Sequence, residues 1–346
     1  MIRRRLAAIG LAAALVTRGV AAQAPKPGVT LDRKHHRVVV VAGPFDLEPM
    51  PPMEGMSMDA MMPDTLAQAF AWPVAGWFRG FESEVIDGQG NPLPRELLHH
   101  FTLINLDRRT LFDPVAERLA AAGLTPAAAI APPSVGAPLS PGQRLALYIM
   151  WHNGGTTAQH GVYLRITLLW APSNEQPRPL STFPVNLDVN AHYGESNTYD
   201  VPPGRHAKSA TITFPLSGWL LAAGGHLHDY GESVVLEDGR TGKILVQTRA
   251  VVGDSGEIKE IPFHILAVLD RGLRIKAGYP YRLVATYNNT SRDTLRDVMG
   301  EMMGLFVPDH PEAWPAVNYS DSLYLADLKG YHAVALLQRT PTAVTY

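Results

Sequence analysis

Two histidines separated by one residue occur in Gly225-His226-Leu227-His228. On a β-strand, residues i and i+2 project from the same face, so both imidazoles can reach one metal ion without distorting the backbone. The same pair equally suits hydrogen-bonded surface histidines. A second pair, His99-His100, is adjacent in sequence. Neighbours on a regular strand face opposite ways, so shared ligation there requires a bulge or an irregular strand end. His152 follows Met150-Trp151 at the end of an apolar run and reads either as a structural residue or as a ligand, with His160 as its nearby alternative. The chain has no cysteine, so any soft ligand must be a methionine. Met299, in Asp297-Val298-Met299-Gly300-Glu301-Met302-Met303, is the first candidate and Met302 the second. Methionine also fills core gaps. Beside two imidazoles, however, a thioether selects copper, above all Cu(I).

The elements that must carry these residues are strands. Apolar runs and strand alternation cover residues 37–42, 70–84, 97–106, 145–151 and 162–170. A polar, proline-rich stretch, 171–179, then marks a boundary. Short strand patterns resume at 210–214, 219–228, 233–237, 244–249, 281–287 and 302–307. Residues 114–122 read as a short helix and 127–141 as a loop of small residues. The 30 glycines and 29 prolines fit frequent turns, and no long amphipathic helix stands out. The expected fold is all-β, two tandem antiparallel β-sandwich, jelly-roll-like domains. A first domain is expected over 30–172 and a second over 180–340.

In order along the chain, the His-His pair, His152, the His-x-His pair and Met299 resemble the copper type II, ascorbate-dependent monooxygenases. That family includes peptidylglycine α-hydroxylating and dopamine β-monooxygenases. The stretches Tyr199-Asp200-Val201-Pro202-Pro203-Gly204, Ala210-Thr211-Ile212-Thr213-Phe214, Gly225 to Gly231 and Asn289-Thr290-Ser291-Arg292-Asp293 carry the likeness in the second half. Leu97-Leu98-His99-His100-Phe101 and Met150-Trp151-His152 carry it in the first. The resemblance implies two copper ions per chain. His99, His100 and His152 would hold one, which takes electrons from ascorbate or another reductant. His226, His228 and Met299 would hold the other, which activates O2 to hydroxylate a C–H bond of a small-molecule or peptide substrate. No catalytic residue beyond these ligands is implied. Where the peptide-amidating members carry a substrate-binding arginine, this chain has Gly224, which speaks against a peptidylglycine substrate.

The first 24 residues read as a secretory signal: Arg3, Arg4 and Arg5, then an apolar run from 6 to 16, then small residues with cleavage expected after Ala22 or Ala24. The run is too short to span a bilayer, so no membrane span is expected after cleavage. The mature protein is expected to be exported, to a periplasm or beyond, with cores in place of disulfides. A net charge of -2 without charged blocks gives no expectation of nucleic-acid binding. Six of the eleven methionines fall between Met50 and Met62. They read either as an apolar loop or as a Cu(I)-collecting strip, which keeps open a second function, a non-catalytic exported copper-binding protein on the same fold. A plain sandwich with incidental histidines is the third.

Overall fold

The computed structural model describes residues 25–50, 65–123, 126–190, 198–267 and 272–338. The signal-like segment, residues 51–62 of the methionine strip and His192 lie outside them.

Eleven strands form the first sandwich: β1 (Gly28–Asp32), β2 (Arg37–Leu47), β3 (Thr65–Ala71), β4 (Gly76–Ile86), β5 (Leu98–Arg109), β6 (Ala116–Gly123), β7 (Ala128–Ile130), β8 (Val135–Leu139), β9 (Arg144–Trp151), β10 (Gln159–Pro172) and β11 (Leu180–Ser181). One sheet runs β1-β2-β10-β4-β8-β11, with β7 also on β4. The facing sheet runs β3-β9-β5-β6. Alternation explains the layering. In β10, Val162, Leu164, Ile166 and Leu168 point inward and meet Phe101, Leu103, Leu145 and Leu147 of the facing sheet.

The second sandwich contains β12 (Phe183–Asp188), β13 (Tyr199–Val201), β14 (Gly204–Thr213), β15 (Gly218–Leu227), β16 (Gly231–Asp238), β17 (Ile244–Arg249), β18 (Val251–Val252), β19 (Ile258–Glu260), β20 (Phe263–Ile265), β21 (Leu273–Ile275), β22 (Pro280–Asn289), β23 (Leu295–Val298) and β24 (Gly300–Pro308). Its sheets are β12-β24-β15-β20, with β21 also on β15, and β14-β22-β16-β17. Leu187, Ala223, Leu227, Met302 and Phe306 meet Ile212, Val234, Leu236 and Leu283 between them. The fold is therefore all-β, two tandem antiparallel β-sandwiches, as the strand patterns imply.

Three local expectations change. Residues 114–122, expected as a short helix, fall mostly in β6, because pairing with β5 overrides the helix preference of Leu119-Ala120-Ala121-Ala122. The expected loop 127–141 supplies β7 and β8. Beyond Trp314, which still packs on the second core, the chain crosses to the first sandwich. Helix α1 (Ser322–Gly330), N-capped by the Asp321 carboxylate, lies on the first sandwich. There Tyr324, Leu328 and Leu336 cover Ile104, Leu106, Ala146 and Tyr148 on the outer face of β5 and β9. Asp327 is buried, pairs with the Arg118 guanidinium at 2.5 Å and accepts the Ala116 N–H. Among the described residues, no helix is long and apolar enough to cross a membrane.

Candidate functional site

His99 and His100 lie on β5, at the point where its register with β9 slips. Leu98 faces Trp151 and His100 faces Met150, which leaves His99 as the extra residue of a bulge. The bulge removes the obstacle posed by adjacency. The two Nδ1 atoms lie 3.0 Å apart, with the rings tilted by 60°. On the other flank, β6 passes very close. A Cβ added at Gly123 would sit 2.5 Å from the His99 carbonyl oxygen, so only glycine fits at that crossing.

His152 is at the end of β9. Its N–H donates to the Leu97 carbonyl at 2.8 Å, which ties it to the turn leading into β5. Among the described residues its Nε2 is buried without a hydrogen-bond partner. The next residue, Asn153, fastens the neighbourhood: its side-chain amide donates to the Leu47 and Thr157 carbonyls. His160 turns away to an exposed contact with Asp46 at 3.3 Å and does not replace His152.

His226 and His228 end β15, their ring centroids 5.4 Å apart and the planes perpendicular. Burial lowers the pKa of both. At His228 the neighbouring His226 adds to the effect, while Asp229 and Asp297 oppose it. The backbone N–H of His228 donates to the Tyr287 hydroxyl at 2.9 Å, and that hydroxyl donates to the Met299 carbonyl. Tyr287 thus bridges the two segments from inside the core, where a buried phenol must find partners. Met302, the alternative sulfur, is fully buried among core residues opposite Leu187, so it is unavailable at the surface.

Sequence reading missed the neighbours of His226. It pairs in register with Glu301, which pairs with Asp188. Three strands thereby set an imidazole and two carboxyls in one row. Burial pushes the Asp188 carboxyl up to about 6, and Glu301 adds to the rise; the Asn190 N–H and Lys208 oppose it. On the same outer face, Phe263 lies over Gly224, its ring 2.4 Å from where a Cβ would be. Exposed Ile265 and Met303 flank it.

Among the described residues, no three histidine, aspartate or glutamate side chains converge in a group that could hold a metal ion. The histidines come together as pairs. No protein-family model matches the chain, and no curated protein matches it either. The solved structures it is similar to include the major capsid protein of STIV, at 12% identity and a TM-score of 0.35. That match covers 72% of this chain and 97% of the other. They also include the major capsid protein P2 from bacteriophage PM2, at 9% identity and a TM-score of 0.36, covering 77% of this chain and 97% of that one. Superpositions this loose assign neither a family nor a function.

The resemblance to copper monooxygenases does not survive these findings. Neither comparison of sequences returns that family, and among the described residues His99, His100 and His152 do not close into a three-imidazole group. The implied oxidoreductase activity goes with it, as do the two copper ions, ascorbate, O2 and the hydroxylated small-molecule or peptide substrate. The second function, copper capture, lacks support on the same grounds. The physical reason lies in the motifs themselves. The order of short histidine motifs along the sequence does not fix the distance between them in space.

Proposed function

We propose that the histidine pairs of this exported chain, His99/His100 and His226/His228, are weak two-imidazole sites for a divalent cation of the zinc type. One pair belongs to each sandwich, within the expected ranges 30–172 and 180–340. His99 and His100 form the first site, with His152 at its edge. His226 and His228 form the second, with Met299 bound to the same tyrosine. The observation that carries this reading is the 3.0 Å separation of the His99 and His100 Nδ1 atoms. Two nitrogens bound tetrahedrally to one zinc-type ion at about 2.0–2.1 Å are about 3.3 Å apart, so the pair has only to open by a few tenths of an ångström to accept one. The same separation lets the Nδ1–H of one ring donate a hydrogen bond to the Nδ1 of the other. At the second site, burial keeps both imidazoles neutral at pH 7, with lone pairs available for a cation. Two protein ligands leave the rest of the coordination shell to water, so binding is weaker than at a closed structural site.

The test is calorimetric titration of zinc into the parent protein, the double variant His99→Ala/His100→Ala and the double variant His226→Ala/His228→Ala. The expected result is two sites in the parent and one in each double variant, with unchanged circular dichroism. No zinc binding by the parent, or binding untouched by both double variants, overturns the proposal.

A further inference from the structure

The turn between β1 and β2 reads Asp32-Arg33-Lys34-His35-His36-Arg37, and every residue from Arg33 to Arg37 is exposed. Among the described residues this is the densest run of basic side chains, in a chain whose net charge is -2. The turn is built, not merely solvated. The Asp32 carboxylate accepts the His35 backbone N–H at 3.0 Å and meets the His35 ring Nδ1 at 2.7 Å. The ring contact, with the backbone bond, holds the Asp32 carboxyl below its usual range. His36 takes the left-handed conformation at φ 54°, and its carbonyl accepts the Trp170 N–H at 3.1 Å. Its ring lies 4.9 Å from the buried Trp170 ring. Register pairing of Asp32 with Arg37 closes the hairpin beneath. Arg33, Lys34 and Arg37 are thus all exposed on one fixed turn.

We infer that this tip docks the protein on an anionic phospholipid surface, with Arg33, Lys34 and Arg37 engaging headgroup phosphates. A convex tip meets a planar array of phosphates with several cations at once, whereas a lone phosphate ion engages one or two of them. Three cations on a single turn do not form the long stripe that tracks a nucleic-acid backbone. The apolar neighbours Leu31 and Val38 are buried, so no side chain of the hairpin wedges into the acyl region. The contact is electrostatic, at headgroup depth, and falls off within a Debye length.

The experiment is co-sedimentation with phosphatidylcholine vesicles, with and without phosphatidylglycerol. The parent chain is compared with Arg33→Gln/Lys34→Gln/Arg37→Gln on the same N-terminus. At low salt the parent should partition to phosphatidylglycerol vesicles on the order of a hundredfold better than the triple variant, from about fivefold per cation. That advantage should collapse at high salt, and pure phosphatidylcholine should give no difference. Inorganic phosphate at matched ionic strength should not compete. Equal partitioning of parent and variant overturns the inference, as does full competition by inorganic phosphate. Tighter binding of the parent to duplex DNA than to the vesicles also overturns it and identifies the tip as a nucleic-acid contact.

Discussion

Asp188, Glu301 and His226 stand side by side on three neighbouring strands, and the titrations of Asp188 and His226 pull stability in opposite directions. Asp188 has its folded pKa raised from 3.8 to about 6, chiefly by burial. The folded state therefore holds its proton more tightly than the unfolded state does. Its contribution to stability is full below pH 3.8 and is lost as pH rises through about 6. His226 and His228 have folded values lowered from 6.5 by burial. Their neutral forms are favoured by folding, so their contribution is present above pH 6.5 and is lost as pH falls below it toward the folded values. Asp188→Asn keeps an acceptor for the Asn190 N–H and removes the charge. Its stability relative to the parent should grow between pH 4 and pH 7, read from urea unfolding at a series of pH values. A parent–variant difference that stays constant across that range would show that Asp188 does not titrate there. The histidine pairs were legible because residue type and i, i+2 spacing suffice to find them. The carboxyls beside His226 were not, because cross-strand pairing depends on register, which no local pattern in Asn186-Leu187-Asp188 announces.

At the scale of the element, the bulge in β5 is what converts two adjacent histidines into a pair of converging nitrogens. It is held from the β6 side by the close passage of Gly123. In Gly123→Ala, the new Cβ would lie 2.5 Å from a backbone oxygen, which cannot swing aside as a side-chain end would. The expected cost is about 1–3 kcal/mol of overpacking, with weakened zinc binding at His99/His100 and none lost at His226/His228. Denaturant melts and the two-site titration check it; undiminished affinity at the first site would show that β6 does not hold the bulge. Strands such as 145–151 and 162–170 were legible from apolar runs and alternation. The bulge was not, since one extra residue leaves the hydrophobic pattern of Leu97 to Leu106 nearly unchanged. β6 was misread for a related reason: Leu119-Ala120-Ala121-Ala122 favours a helix on propensity alone, and only the partner strand decides otherwise.

At the scale of the whole molecule, the two sandwiches are tied together by more than the linker. Leu111 and Phe112, between β5 and β6, insert into the second core, where Phe112 meets Phe214 edge-on at 5.0 Å. Phe183 stacks on Trp314 at 4.3 Å, and the Trp314 indole N–H donates to the Arg109 carbonyl. The C-terminal segment then covers the first sandwich. Leu328→Ala, at a position far along the chain from β5 and β9, should cost about 2–5 kcal/mol. The loss should appear as faster hydrogen exchange in β5 and β9 before any change in β14 and β22. Faster exchange confined to residues 183–308 would contradict the packing. The tandem all-β plan was legible from strand patterns and turn residues. This return of the chain was not, because Ser322–Gly330 is only nine residues long and shows no strong apolar stripe of its own.

That return has a consequence for biosynthesis. A ribosome makes the chain from its N-terminus, so β5 and β9 emerge some 170 residues or more before Tyr324 and Leu328, which cover them. Until then the apolar outer face of Ile104, Leu106 and Tyr148 is open on the nascent chain. The first sandwich to be synthesised is therefore the last to be finished, and the interval is when a chaperone has its binding surface.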